Sequence, residues 1–263
     1  YGTTSHPVDK VYRQLKVNRG AGETITSFIE KLASVPLRYE PGEQWLYSLS
    51  TDVCGALVEI ISGQPFDEYL DEHIFKPLGM EDTSFWVTAD KQSRFTANYS
   101  RNKDKTLRLI DDPQASDYLK KPSFSSGGGG LTGTITDYYR FTEMLRRGGE
   151  LDGVRIIGSR TLAMMHMNHL KNGQDLTQMA IGSFSETAYE GVGFGLGFAT
   201  TLGQVATGGP SSGDYYWGGA ASTIFWVDPV EDLSVIFMTQ LMPSNTFNFR
   251  GQLKNIIYGA ITD

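Results

Sequence analysis

Pro41-Gly42-Glu43-Gln44-Trp45-Leu46-Tyr47-Ser48-Leu49-Ser50 is the stretch on which the reading of the fold turns. Pro41-Gly42 punctuates the chain, and the run then sets Tyr47 in a tight segment just ahead of a helix. From Ser50 onward Val53, Leu57, Ile60 and Ile61 fall on one helical face. Ser50 or Thr51 can cap this helix and Gly63 can end it. Cys54 lies on the same helix and reads as a small core residue.

Working outward, residues 26–32 predict an earlier helix with a Thr or Ser cap. Phe66, Tyr69, Leu70 and Ile74 predict another before Pro77-Leu78-Gly79. Residues 91–130 are polar and irregular. Thr136-Asp137 can cap a helix through Tyr138, Phe141, Met144 and Leu145 that stops at Gly148-Gly149, and a short helix follows over 159–168. Residues 194–199 alternate as a strand does. Residues 222–227 and 233–239 are apolar runs joined by Asp228-Pro229-Val230-Glu231-Asp232, which reads as a hairpin. An amphipathic helix over 244–261 closes the chain. Helices, then antiparallel strands, then a helix predict an α+β protein. The expected organisation is one domain over 1–263, with 1–190 mainly helical and 191–263 made of strands plus the last helix.

Composition sets the bounds. Of 263 residues 40 % are hydrophobic and 20 % charged, enough for a real core and against disorder. Lys and Arg number 23 against 30 Asp and Glu, a net charge of −7, so nucleic acid is a poor partner. One cysteine excludes an intrachain disulfide. Apolar runs fall far short of a membrane span. The chain opens at Tyr1 with no basic-then-apolar leader, so a signal sequence is expected to be absent or removed. The expectation is a soluble protein of the cytoplasm, with periplasm or secretion as the alternative.

Several motifs carry the family reading. They are the Tyr47 segment, Leu57-Val58-Glu59-Ile60-Ile61-Ser62-Gly63, residues 74–83, Leu151-Asp152-Gly153-Val154-Arg155, residues 193–198, Trp217-Gly218-Gly219-Ala220 and Phe225-Trp226-Val227-Asp228-Pro229. In this order and spacing they resemble the serine β-lactamase and penicillin-binding-protein superfamily, and within it the class-C-like family VIII carboxylesterases. The resemblance implies the β-lactamase/transpeptidase-like fold, an antiparallel sheet flanked by helices with an adjoining helical region.

That family uses Ser-x-x-Lys for its nucleophile, a Tyr-x-Asn motif and a Lys-Thr-Gly motif. By resemblance Tyr47-Ser48-Leu49 stands at the second and Trp217-Gly218-Gly219 at the third. Tyr47 is then the proton-transfer residue. The Ala220 amide falls where the family provides an oxyanion donor, and Ser48, Leu49, Trp217, Gly218 and Gly219 border the substrate. A serine hydroxyl needs a neighbouring base to become nucleophilic, and a phenol needs a nearby cation or a relay role to serve. The only Ser-x-x-Lys match is Ser100-Arg101-Asn102-Lys103, in a polar loop downstream of Tyr47 rather than upstream on a helix. The resemblance therefore implies a partner: the N-terminal part of the same protein, carrying the nucleophile.

Leu49 replaces the amide of Tyr-x-Asn and Trp217 replaces the lysine of Lys-Thr-Gly. Both changes remove polar partners, and a site without them discriminates poorly for polar substrates. The implied activity is a carboxylesterase acting on short-chain acyl esters through an acyl-enzyme. A β-lactamase or D-Ala-D-Ala peptidase, an acyltransferase and a non-catalytic binding module stay as alternatives. No cofactor and no metal is implied.

Other motifs have plainer readings. Gly127–Gly130 lacks the residues of a phosphate loop and reads as a flexible loop near the pocket. Gly209-Pro210-Ser211-Ser212-Gly213 fits Gly-x-Ser-x-Gly, but no helix follows it. His166 and His169, spaced i and i+3, lack the further ligands of a zinc site.

Overall fold

The computed structural model describes residues 4–17, 22–182, 188–211 and 213–262. The chain opens with helices α1 (Pro7–Gln14), α2 (Ile25–Ala33), α3 (Ser50–Ser62) and α4 (Phe66–Leu70), and a π turn over Asp71–Phe75 carries α4 into α5 (Lys76–Leu78). Strands β1 (Asn98–Arg101) and β2 (Leu107–Asp111) form a hairpin. Next come α6 (Ile135–Arg146), the two-residue strands β3 (Glu150–Leu151) and β4 (Val154–Arg155), α7 (Ser159–Met165) and α8 (Leu176–Met179). The last third holds β5 (Val192–Phe194), β6 (Ala199–Thr201), α9 (Gln204–Thr207), β7 (Tyr215–Gly218), β8 (Ile224–Asp228), β9 (Leu233–Phe237), β10 (Leu241–Met242) and α10 (Phe249–Tyr258).

Strands β5 to β9 pair antiparallel in chain order. Side chains alternate across this sheet as the strand period requires. Tyr215, Phe225 and Val227 pack with Met144 and Leu145 of α6, while Tyr216, Ile224 and Trp226 pack with Tyr258 of α10 and Leu176. The result is the expected α+β arrangement, an antiparallel sheet with helices on both faces. Strand β10 leaves this sheet and pairs parallel with β1, Tyr99 opposite Leu241.

Helix α10 is tied to the sheet by buried polar groups. Asp228 of β8 accepts from the Ser211 and Tyr258 hydroxyls, each at 2.6 Å. Lys254 pairs with buried Asp214 and lies over the Tyr216 ring at 4.5 Å. Ser211, the middle residue of the Gly-x-Ser-x-Gly match, is thus a buried donor to a carboxylate. Ser212 lies outside the described residues.

Several local readings are corrected. The alternation at 194–199 is the turn of the β5–β6 hairpin, where Gly195 N donates to Phe198 O at 2.8 Å and Gly197 has φ +98°. The glycines that mimic alternation are there for the turn. Thr24, not Thr26 or Ser27, caps α2, with Ser27 closing a capping box. Thr134 caps α6. The last helix begins only at Phe249, capped by Asn248. The first 190 residues also hold β1 to β4.

Helix α3 ends as expected, with Gly63 at φ 73°, but its N-cap is Leu49, with no side-chain cap bond, so Ser50 and Thr51 are its first two residues rather than its cap. It turns its small and polar face inward: Asp52, Gly55 and Ala56 are buried. Its apolar face points out, with Leu57 49 %, Ile60 72 % and Ile61 83 % exposed. Cys54 is exposed as well, which corrects its reading as a core residue. Among the described residues, no helix is long and apolar enough to cross a membrane.

Candidate active site

The segment before α3 is held at both ends. Trp45 N donates to Met179 O at 2.9 Å and Ile181 N to Trp45 O at 3.1 Å, a bridge to the chain leaving α8. Four residues on, Leu49 is buried at 4 % exposure, and its carbonyl accepts from Asp52 N and Val53 N. Tyr47 and Ser48 span the gap between these anchors. Ser48 Oγ accepts from Ser50 N at 3.2 Å and meets Ser50 Oγ at 2.7 Å, a local turn bond of the kind serine favours.

The start of α3 is also pinned from the side. The Ser126 hydroxyl donates to buried Asp52 and accepts from Gly128 N at 3.0 Å. Gly127 lies so close that a Cβ there would stand 2.0 Å from Thr51 O. The first half of the glycine run, Gly127 and Gly128, is therefore a strap packed on α3.

The fold brings Tyr47 and Trp217 together, 170 residues apart in sequence, with ring centroids 6.1 Å apart and planes 15° from parallel. Phe194 stands edge-on to Trp217 at 5.5 Å, and Trp45 meets Phe194 at 5.2 Å and Tyr189 at 6.2 Å. These five rings form one aromatic wall. Phe194 is set by close backbone approach: a Cβ on Gly193 would stand 2.5 Å from the Asn168 side chain, and one on Gly195 2.1 Å from Met165 O.

Beyond Trp217 the chain turns from β7 into β8. Gly219 N donates to Thr223 O at 2.9 Å and Ser222 N to Gly219 O at 3.1 Å. Ser222 takes φ +69°, a conformation costly for a residue with a Cβ. It is held there by its hydroxyl, which donates to Leu241 O at 2.6 Å, and by Leu241 N, which donates to Ala221 O. Ala220 sits at the exposed tip, and its amide donates to no group among the described residues. An amide with no acceptor inside its own turn can donate to a group outside it.

Two of the residues expected to border substrate are buried in this chain. Leu49 is a core plug. Gly218 is backed by Arg250 of α10, whose Cζ would lie 2.5 Å from a Cβ at that position. Sequence reading missed Phe194, Trp45 and Tyr189 as wall residues, although Phe194 lies in the quoted run 193–198. It also missed Arg250, for which the sequence carries no signal.

Other candidates resolve into structure. Ser100 lies in β1 and accepts from Arg108 Nε at 3.2 Å, so the Ser-x-x-Lys match does not open a helix. His166 ends α7 and stacks on Tyr215 at 4.5 Å, where burial lowers its pKa. His169 Nε2 is 2.8 Å from Met164 O. Among the described residues no group of three or more His, Cys, Asp or Glu could hold a metal ion.

The family model described as Beta-lactamase matches residues 5–255. The protein Rv1367c of Mycobacterium tuberculosis is 32 % identical over 248 residues, 92 % of this chain and 59 % of that protein. Esterase EstB of Burkholderia gladioli is 31 % identical over 227 residues, 80 % of this chain and 53 % of that protein. The chain thus spans little more than half the length of these relatives. Among solved structures, EstCE1, described as a hydrolase with promiscuous acyltransferase activity, has a TM-score of 0.80 at 24 % identity, covering 97 % of this chain and 68 % of that one. Unliganded simvastatin synthase LovD from Aspergillus terreus has a TM-score of 0.76 at 21 % identity, covering 98 % and 65 %. Both likenesses speak to the fold.

Proposed function

The chain belongs to the beta-lactamase family, and on that premise we propose that the protein carrying it is a carboxylesterase-type serine hydrolase. Its substrates are short-chain, neutral acyl esters. The observation that carries this reading is the stacked Tyr47–Trp217 pair beside the open Ala220 amide. The wall is aromatic and uncharged where the wider superfamily places a lysine, so it suits an apolar acyl group better than a carboxylate. The name of the relative EstB is in keeping with this.

The nucleophilic serine and its lysine belong to a part of the protein outside this chain. Two observations support that. Ser100 lies on a strand rather than at the start of a helix, and the apolar face of α3 is uncovered. In the reaction the serine Oγ attacks the acyl carbon, and its proton passes to the neighbouring base. The carbonyl oxygen takes up the electron pair and is met by the Ala220 amide. Tyr47 hands a proton to the departing alcohol as the C–O bond breaks. Water then attacks the acyl-enzyme by the same steps in reverse roles.

The test is steady-state hydrolysis by the full-length protein of a nitrophenyl butyrate against a chromogenic cephalosporin. Faster turnover of the ester, falling about 10²–10⁴-fold in kcat on Tyr47→Phe as loss of a general acid–base group does, is expected. Faster turnover of the cephalosporin, or unchanged ester turnover in the variant, would sink the reading.

A further inference from the structure

Arg250 occupies an unusual place. It is the second residue of α10, where the positive end of the helix dipole disfavours a cation. The first turn of α10 holds no acidic residue to offset this. The guanidinium instead reaches across to the β7–β8 turn. Its Nη2 donates to Gly219 O at 3.0 Å and to Thr223 O at 3.2 Å, the carbonyls on the two sides of Ala220. The absence of a side chain at Gly218 is what lets it in, since a Cβ there would stand 2.5 Å from both Cζ and Nη2.

The Gly219 carbonyl and the Ala220 N–H belong to one peptide unit. That unit is planar and trans, because the sole cis bond among the described residues is Met242-Pro243. Its C=O and N–H therefore point in opposite directions. A guanidinium that fixes the carbonyl from behind fixes the direction of the amide in front. A cation on the oxygen also draws electron density from the peptide and makes its N–H a stronger donor, as coupled hydrogen bonds do.

We propose that Arg250 is the positioning residue of the oxyanion donor: by holding the Gly219 carbonyl it aims and polarises the Ala220 amide, and Gly218 is glycine to admit it. The inference rests on the esterase reading above. It also separates two roles that the Trp217-Gly218-Gly219 run merges. Trp217 faces substrate, whereas Gly218 faces the support behind the turn.

The test uses the full-length protein with Arg250→Met, Arg250→Lys, Gly218→Ala and the double variant Gly218→Ala with Arg250→Met. Removing an oxyanion donor outright costs about 10²–10³-fold in kcat. A donor left in place but loosened should cost less, on the order of 10–50-fold for Arg250→Met, with KM within about twofold. Arg250→Lys should recover part of the loss. Gly218→Ala should match Arg250→Met and add less than about twofold on top of it, because the methyl group has no guanidinium left to displace. Thermal midpoints are read alongside, and if Arg250→Met does not fold, Arg250→Lys and Gly218→Ala decide. Unchanged kcat in the folded variants, or full multiplicative losses in the double variant, would overturn the proposal.

A wild-type protein that hydrolyses no ester would sink the functional reading instead. The clamp is then judged by the Ala220 amide proton resonance. An upfield move in Arg250→Met supports it, and an unmoved resonance overturns it.

Discussion

The outward face of α3 gives the sharpest test of what surrounds this chain in the whole protein. Ile60 and Ile61 are 72 % and 83 % exposed, next to Leu57 on a helix whose inward face is built from Asp52, Gly55 and Ala56. If the nucleophile-bearing part covers this face, most of both side chains is removed from water. Full burial of an isoleucine is worth about 1.5–3 kcal/mol. Scaled by the exposed fractions, the pair contributes roughly 2–5 kcal/mol. The double variant Ile60→Ser with Ile61→Ser changes helix propensity little, so its effect reports burial. In urea unfolding of the full-length protein, followed by tryptophan fluorescence, it should lose about that much stability. Val205→Ser, at a fully exposed position, is the control and should stay within about 0.5 kcal/mol of wild type. A double variant as stable as the control would mean that water meets this face in the whole protein too, and the argument for a covering segment would fail.

Three further outcomes follow from the geometry. Burial pushes the Asp228 carboxyl up, but the hydroxyls of Ser211 and Tyr258 and the amides of Glu231 and Val230 outweigh it and hold its pKa below the ordinary value. Its contribution to stability is thus present above the unfolded-state pKa and is lost as pH falls through the lower folded value. Tyr258→Phe should cost about 1.5–3 kcal/mol near neutrality and flatten the loss as pH falls below the ordinary carboxylate value, as read by thermal midpoints. Gly127→Ala sets a methyl group against the Thr51 carbonyl. Overpacking of about 1–3 kcal/mol, together with slower ester turnover as the strap lifts from α3, is expected from unfolding and kinetic assays. Trp217→Ala removes a ring stacked on Tyr47 and should raise KM for butyrate esters several-fold more than for acetate esters; an equal rise for both would remove Trp217 from the acyl pocket.

The sequence was most legible where local rules and tertiary structure agree. The end of α3 follows from Gly63, and the β8–β9 hairpin follows from two apolar runs around Asp228-Pro229. The joining of Tyr47 to Trp217 followed only from resemblance, since nothing local links residues 170 positions apart. Failures occurred where one residue type serves two ends. Glycines at 193, 195 and 197 look like strand spacing and are turn and close-approach positions. The outward face of α3 defeats the rule that an apolar stripe faces the core of its own chain. Arg250 was invisible because its role lies in the carbonyl it holds, and a carbonyl has no letter in the sequence.

The central claim is an acyl-enzyme whose serine lies outside this chain while Tyr47 and Ala220 lie within it. The most direct measurement is peptide mass mapping of the full-length protein after brief reaction with a serine-directed phosphonate, in wild type and Tyr47→Phe. A single adduct on a serine followed three residues later by lysine, outside residues 1–263 and formed far more slowly in the variant, is the predicted result. An adduct on Ser100, on Ser211 or on any other serine of this chain, or no adduct at all, would contradict the account.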